Sequence, residues 1–589
     1  MKSLLAPTIA LAALASAHTL LPGSEPVQEP EIEEYAFDPS KIGRTFCGPA
    51  GSKRGSLFQP DIASVFSTAA YASEVNAGDV PLLAGLDLRD FPISSENAEA
   101  RAYFRQGFAF LYGFNHWEAI RAFKKAQALD PDCAICFWGE AIALGPNINA
   151  PMEESAAPKA LAAMEKAVAL KANADARERA LIEAGETRYD ADPGVSRSDL
   201  DKRYADAMAR VHAAFPEDQD IATLYAEALM DTSPWDYWER DFATPRPHIQ
   251  TALDAINGVL AANPDHYGAI HLHIHLYEAS AQVETSETHA DRLAKLPLQS
   301  GHLIHMPSHI YFRIGRYLDS LDINIQAAKI DENYLAETEG SPLYRFGYYP
   351  HNIHFVLVSA QMAEDRDTAL RYAQVLDELM PVEAIAQADW LPPIKAAPYF
   401  AIAQFGSVED VEALPEPSVP YLKAMWHYAR GRVFAETGDD RAWVEQEAIE
   451  RLIEDEAIRS AGIPAATVLQ VAANTIGAKR LMAAGNHEGA VELALENVKL
   501  QDSMPYLEPP FWYYAVEQTL GAAYFMNGQY AEADRAFKAS LVRHPNSAGS
   551  LFGLWQTQVK RGLDAEARFT RGLYEKATRD ARELSFLKL

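Results

Sequence analysis

The chain has 589 residues, of which 48% are hydrophobic and 10% aromatic, so it is too apolar for a disordered protein and too long for one simple core. Its 52 basic and 82 acidic residues give a formal net charge of −30, and no basic block interrupts the acidic background. This balance argues against nucleic acid and anionic lipid surfaces as the main partners.

The first 17 residues have the pattern of a cleaved secretory signal. Lys2 precedes an apolar run, and the small residues from Ala15 to Ala17 follow it. We therefore expect an exported protein, which would be periplasmic if the host is a Gram-negative bacterium. After residue 17 no stretch reaches about 18 uninterrupted apolar residues, so the sequence predicts no membrane span.

Residues 18–96 are rich in Pro, Glu and Gly and show little periodicity, which is typical of a linker or of an arm that wraps the body. From 97 to 580, apolar residues recur at spacings of three and four, and short polar breaks separate the runs. This pattern predicts an all-α body. A Trp-rich segment near 231–248 is predicted to be an irregular insertion, and 581–589 a C-terminal tail.

The three cysteines favour a disulfide in an exported chain. Either Cys47 ties the N-terminal segment to the body, or Cys133 and Cys136 pair with each other. Free buried thiols, and redox or metal chemistry at the CxxC sequence, are the alternatives. A haem attachment site is excluded because Phe137, and not His, follows Cys136.

Two segments near the ends of the body carry small and aromatic residues at the same offsets. Gly107 and Phe123 in the first segment correspond to Gly521 and Phe537 in the second. This spacing resembles the tetratricopeptide repeat, a helix-turn-helix unit of about 34 residues in which small residues let two helices approach. Weaker copies fit 301–334, 350–383 and 471–504.

The resemblance implies a tetratricopeptide-like α-solenoid over 97–580, in which helix pairs stack as a right-handed superhelix. In that family the concave groove takes a protein or a small-molecule ligand. The resemblance therefore implies a binding scaffold, and it does not specify a reaction.

The histidines are grouped in a way that composition alone does not explain. Eight of the 17 fall in three clusters between residues 271 and 354. Residues three or four apart share a helix face, so His271 is expected beside His275, and His273 is expected to point elsewhere. The same spacing recurs in the other two clusters. In the register of the resemblance, the second, fifth and ninth residues of a repeat face the concave groove.

Neutral imidazole is the commonest metal ligand in proteins, so we expect these histidines to converge on a transition metal, with Cu, Fe or Zn as the candidates. Glu278 is expected either as a further ligand or as the acceptor that orients a ring, and Asn352 as a supporting residue. The predicted ligands are His271, His275, His302, His305, His309, His351 and His354.

Other interpretations of the same histidines stay open at this point. A metal-free polar groove for an anionic or aromatic ligand would use them, and so would structural hydrogen bonding. The HExxH sequence of metalloproteases does not occur. Three functions are therefore compatible with the sequence: a protein that binds a transition metal and a ligand, a metal-dependent oxidoreductase or hydrolase, and a metal-free scaffold for a protein partner.

Pro307 affects the middle cluster, since a proline inside a helix removes a hydrogen bond and clashes with the preceding turn. Two arrangements satisfy it. In one, a helix begins near Met306 and leaves His302 and His305 in a loop; in the other, the helix continues with a kink.

Overall fold

The computed structural model describes residues 80–589 except 87–88, 153, 339, 386–390, 506 and 580. In these ranges the chain is helical, and its β pairing is limited to two isolated bridges, so the all-α prediction is confirmed. The predicted signal, residues 1–17, and Cys47 lie outside the described residues.

The helices follow one another with short connections. In the first half they are α1 Ala98–Tyr112, α2 His116–Leu129, α3 Ala134–Ala143, α4 Ala157–Leu170, α5 Ala176–Glu186, α6 Arg197–Ala214, α7 Gln219–Asp231, α8 Pro247–Ala262, α9 Tyr267–Glu278, α10 Glu287–Leu293, α11 Gly301–His305, α12 Pro307–Arg313, α13 Tyr317–Glu337 and α14 Tyr349–Met362. A π-helical turn, Tyr344–Tyr348, leads into α14.

The second half continues in the same way. Its helices are α15 Arg366–Leu379, α16 Val382–Ile385, α17 Leu391–Phe405, α18 Val408–Ala413, α19 Pro420–Glu436, α20 Arg441–Ile453, α21 Glu456–Arg459, α22 Ala465–Ala483, α23 His487–Asp502, α24 Val516–Met526, α25 Tyr530–Arg543, α26 Ala548–Lys560 and α27 Asp564–Ala577.

The long helices stack in the order of the sequence. α1 packs on α2 and α2 on α3, and the same succession runs without a break from α22 to α27. Many helices also contact the next but one, as α1 does α3 and α24 does α26. Contacts between sequence neighbours of this kind are those of a helical-repeat solenoid.

The repeated Gly and Phe positions act as wedges between three helices. A Cβ added to Gly107 or to Gly139 would lie less than 3.0 Å from the ring of Phe123. The same holds for Gly521 and Gly553 around the ring of Phe537. In both places 16 residues separate each glycine from the phenylalanine, so the spacing seen in the sequence corresponds to one packing unit used twice.

Most turns inside the helix pairs contain one residue with positive φ, which glycine adopts at no steric cost. Phe114 (φ 55°) and Glu364 (φ 55°) occupy this place in the turns after α1 and α14. Because both residues have a Cβ, both carry a local backbone strain that the turns with glycine do not have. The turns with glycine at this place hold Gly315, Gly438, Gly485, Gly528 and Gly562.

Outside the helices, several segments pack against the body. Val80, Leu86 and Phe91 are buried in the core, and the side chain of Asn97 caps the first turn of α1. The irregular stretch between α7 and α8 includes a bridge between Trp238 and Pro245.

Cys133 and Cys136 form a disulfide at the start of α3. No helix in the described ranges is long and apolar enough to cross a membrane.

Two clusters of buried apolar side chains matter for the site, one over 80–344 and one over 312–516. The helices that carry the histidine clusters lie where these two cores meet. Here Pro307 is accommodated by a break: α11 ends at His305 and α12 begins at Pro307, while Met306 between them keeps helical dihedral angles. The kinked arrangement is therefore the one adopted.

Candidate metal centre

Four helices, α9, α11, α12 and α14, bring six of the seven predicted ligands into two groups. In each group of three the candidate ligand atoms lie within 4.8 Å of one another. The first triad is His271, His275 and His302, and the second triad is His305, His309 and His351. All six are buried except His351, which is half-buried.

Two rings of the first triad, His271 and His275, are oriented by hydrogen bonds on Nδ1, whereas Nδ1 of His302 is buried without a hydrogen-bond partner among the described residues. Nδ1 of His271 lies 2.7 Å from the backbone carbonyl oxygen of Tyr112. Because a carbonyl can only accept, this Nδ1 carries the proton and leaves a lone pair on Nε2. That lone pair faces Nε2 of His302 across 3.2 Å. Nε2 of His275 is buried and has no hydrogen-bond partner among the described residues.

The second triad follows the same scheme. Nδ1 of His305 donates to the side-chain oxygen of Asn324 over 2.6 Å, and the amide nitrogen of Asn324 donates to the carbonyl of Ser320, which fixes its orientation. Nε2 of His305 therefore presents a lone pair, and it lies 2.9 Å from Nε2 of His309.

Glu278, the last residue of α9, connects the two triads. One carboxylate oxygen accepts a hydrogen bond from Nδ1 of His275 at 2.5 Å, and the other lies 2.6 Å from Nδ1 of His309. Histidines that bind metals commonly donate their second nitrogen to a carboxylate, which fixes the tautomer and raises the basicity of the ligand nitrogen. Here one carboxylate takes such a hydrogen bond from the first triad and lies at ion-pair distance from the second.

The two triads also lie next to each other. The ring centroids of His302 and His305, which belong to different triads, are 6.1 Å apart, and those of His275 and His309 are 6.2 Å apart. Within the first triad the largest centroid separation is 6.3 Å. The two groups are therefore parts of one continuous site.

Each triad is covered by one phenylalanine that touches all three rings. The centroid of Phe114 lies 4.4, 5.7 and 5.8 Å from the three imidazoles of the first triad. The centroid of Phe355 lies 4.8, 4.9 and 5.1 Å from those of the second. The strained turn at Phe114 thus places its ring against the histidines.

Burial sets the charge of most of these groups. Burial, and after it the neighbouring imidazoles, lowers the pKa of His302, His305 and His351 well below the ordinary 6.5. These rings are therefore neutral at neutral pH, which is the form that binds metals.

Glu278 and His309 differ from the other groups. Burial alone would raise the pKa of the Glu278 carboxyl, but the charges of His309 and His275 and their hydrogen bonds to it lower this pKa far below its usual range. Burial alone would likewise lower the pKa of His309, but the charge of Glu278 raises it.

His354 does not join either triad. Its Nε2 lies 2.6 Å from the hydroxyl oxygen of Tyr513, and its pKa is lowered by burial to about 3. The side chain of Asn352 donates a hydrogen bond to a carboxylate oxygen of Asp331 over 2.7 Å. His273 pairs with the hydroxyl of Ser286 on the other side of α9.

Several residues that support the site could not be predicted from the sequence. Tyr112 contributes a backbone carbonyl, which any residue type would supply, and Asn324 lies in α13, far from the histidine clusters in sequence. His266 caps α9 by accepting from the backbone of Ala269. A signal was available for Phe114, because it stands at the turn position that glycine occupies in most of the other helix pairs.

A cavity of about 80 Å³ opens beside the triads. One water molecule needs roughly 10–15 Å³ on this scale, so the space admits several waters or a small ligand. Its wall includes histidines of both triads together with Trp235, Ile394, Phe400, Phe511 and Tyr513, so most of it is apolar.

No protein-family model and no curated protein matches the chain. Solved structures that resemble it in part include a human IFIT1 dimer with PPP-AAAA, at 14% identity over 82% of this chain and 91% of that chain, with a TM-score of 0.29. The P58(IPK) TPR domain is 13% identical over 79% and 99%, with a TM-score of 0.21. Likenesses of this size say nothing about what this chain binds, so the exclusion of nucleic acid stays a prediction from composition.

Proposed function

We propose that this protein is an exported α-solenoid that binds two transition-metal ions, one at each triad, and admits a small ligand to them from the adjoining cavity. One observation carries the proposal. In both triads, two Nε2 atoms face each other at 3.2 or 2.9 Å, while Nδ1 of one ring of each pair is held by an acceptor.

Structural histidines would explain this arrangement poorly. A buried polar atom that makes no hydrogen bond costs about 1–3 kcal/mol, and buried histidines therefore usually satisfy both nitrogens. Nε2 of His275 is unsatisfied, and Nε2 of His271 has only another imidazole nitrogen to face. A metal ion would accept the lone pairs of all three rings at once.

The spacings also suit a metal. With metal–nitrogen bonds of about 2.0–2.1 Å, nitrogens 3.2 Å apart subtend an angle of about 100° at the ion, and nitrogens 2.9 Å apart one of about 90°. Both angles are within the range of four- to six-coordinate transition metals. A ligand set of imidazoles alone favours Cu, Zn or Fe over Mg or Ca, which prefer oxygen.

A second candidate function is an enzyme that uses the same centre, as an oxidoreductase or a hydrolase. The specific observation in its favour is the pairing of three protein ligands with an adjoining cavity. Three ligands leave a coordination position open, which is the pattern of catalytic and not of structural sites. His275, His302, His309 and His351 also line the cavity, so a ligand there would reach the ions.

Metal analysis of untagged protein after dialysis tests the proposal. We expect two transition-metal ions per chain in the wild type. His309→Ala removes a ligand of the second triad and should lower the content to about one ion or less. His273→Ala removes a buried histidine of α9 that belongs to neither triad, and it should keep both ions. A metal-free wild type, or equal contents in all three proteins, would contradict the proposal.

A further inference from the structure

We propose that the two triads hold a pair of copper ions that bind one dioxygen molecule between them. This inference rests on the proposed function, since it requires both triads to carry metal. It goes further in naming the metal, the ligand and the cooperation of the two ions.

The first argument is that the two half-sites are built alike. Each consists of three imidazoles, and each has one phenylalanine, Phe114 or Phe355, in contact with all three rings. Each also has one ring whose Nδ1 lies 2.5 or 2.6 Å from a carboxylate oxygen of Glu278. Two equivalent ligand sets favour two ions of the same element.

The second argument is that the two half-sites are close together and share a contact with one carboxylate. Rings of different triads approach to 6.1 and 6.2 Å, slightly closer than the most distant pair within the first triad at 6.3 Å, and the carboxylate of Glu278 contacts both groups. A small ligand that enters the cavity between His275, His302 and His309 therefore meets both ions together.

The third argument is electrostatic. As metal ligands the six imidazoles would be neutral, while the carboxylates of Glu278 and of Glu508, which lines the cavity, would contribute two negative charges, so two Cu(I) ions would leave the buried centre with a net charge of about 0 and two divalent ions with about +2. The rest of the cavity wall is mostly apolar, so it offers little to offset a remaining positive charge. The site thus favours the monovalent state, and copper is the candidate metal that has one.

Dioxygen is the ligand that such a pair would take. Each Cu(I) gives one electron, so both ions become Cu(II), while dioxygen accepts the two electrons and keeps its O–O bond. No proton or external reductant enters this step, and the net charge of the centre does not change. A small, neutral, apolar molecule also suits a cavity with walls formed by Trp235, Phe400 and Phe511.

The test uses the full chain with its metal removed and then reloaded with Cu(I) under nitrogen. We expect two coppers per chain, and on exposure to oxygen the uptake of one O₂ for every two coppers. Because the two Cu(II) ions would be bridged, their spins should couple and the oxygenated protein should give little cupric EPR signal. The zinc-loaded protein is the comparator that cannot give electrons, and it should take up no oxygen.

The outcomes separate this inference from the proposed function. A chain that retains no metal overturns both. A chain that retains two coppers but takes up no oxygen, or that gives the full EPR signal of two isolated cupric ions, overturns the copper-pair inference and leaves metal binding intact. His302→Ala should retain one copper and lose the uptake, whereas His273→Ala should behave as the wild type. Uptake that persists at one O₂ for each copper in His302→Ala would also overturn the pair.

Discussion

Asp331 shows how single residues outside the triads hold the ligand helices together. Its carboxylate accepts hydrogen bonds from the hydroxyl of Tyr344 at 2.6 Å and from Asn352 of α14 at 2.7 Å. On its other side it packs so closely on Gly301, the first residue of α11, that a Cβ there would lie 1.8 Å from a carboxylate oxygen. Helices that carry ligands of both triads therefore meet at this residue.

The charge of Asp331 gives a prediction for stability. Burial raises its pKa from 3.8 to about 7, although the hydrogen bonds from Tyr344 and Asn352 oppose the shift. The folded chain therefore binds more protons here than the unfolded chain between about pH 4 and pH 7, and the free energy of unfolding should fall as the pH rises through this window. Above about pH 7 this contribution is fully lost.

Asp331→Asn should remove this part of the pH dependence. We expect the melting temperature of the variant to gain on that of the wild type as the pH is raised from 4 to 7, with the difference constant above that. Thermal unfolding at a series of pH values measures it. Glu337→Gln, an exposed position on the same helix, is the control and should track the wild type. A constant difference between Asp331→Asn and the wild type across the window would refute the assignment.

At the residue scale, side chains with a distinctive chemistry were predictable and their partners were not. Histidine clusters at helical spacing indicated the ligands, and Glu278 was expected beside His275 because three residues separate them. The spacing could not show that His302 and His305, expected on one face, supply different triads. That division arises from the packing of α9 on one side and α14 on the other, which one-dimensional periodicity does not contain.

At the scale of elements, the spacing of Gly and Phe in the sequence corresponds directly to a packing feature of the structure, in which one phenylalanine ring lies between two glycines. The ring of Phe537 fills the space left by Gly521 of α24 and Gly553 of α26. A close approach of three helices is thereby encoded in three residues, and this is why the repeat was visible at the two ends of the body.

Gly521→Leu should overpack this junction. The Cβ alone would lie 2.8 Å from the ring of Phe537, so α24 and α25 must separate, at a cost of about 1–3 kcal/mol. In a stacked array the damage should begin locally, and hydrogen exchange should accelerate in α24 to α27 before α1 to α5. Gly572→Ala in α27 is the control, because a Cβ there meets nothing within 4 Å. Faster exchange in α1 to α5 alone would be inconsistent with the register.

The orientation of α9 and the arrangement at Pro307 could not be predicted from the sequence, for physical reasons. Every residue of α9 is buried, since α8, α10, α12 and α1 surround it, so no polar face marks its orientation. His273 is consequently as buried as the ligands on the opposite side of the helix. The sequence left two arrangements open at Pro307, and only the packing of α11 and α12 on α13 selects the kink.

At the scale of the whole molecule, the site lies where two cores meet. α9 belongs to the cluster of buried residues over 80–344, and α14 belongs to the cluster over 312–516. The second triad draws His305 and His309 from the first side of this boundary and His351 from the other. Segments distant in sequence also close on it, as the contact between His354 and Tyr513 shows. A metal in the second triad would therefore join the two cores.

This position leads to a prediction for metal removal. A ligand that binds only the folded state adds about 2.7 kcal/mol per site at a free concentration of 100 times its Kd. Because the site lies between two separate clusters of buried side chains, this gain should appear as local protection and not as one shift of a single transition. We expect metal loading to slow amide hydrogen exchange in α9, α11 and α14, and a chelator to reverse the effect.

The variant His351→Ala tests whether a metal in the second triad connects the two clusters of buried side chains. It removes the one ligand of the second triad that α14 supplies and leaves the first triad complete. Metal loading of this variant should therefore still protect α9, where His271 and His275 lie, but it should no longer protect α14. Zinc serves for loading, since it excludes redox changes. If metal protected α9 and α14 equally in His351→Ala, the second triad would not be the connection between the two cores, and the protection of α14 would have to arise from the first triad through packing alone.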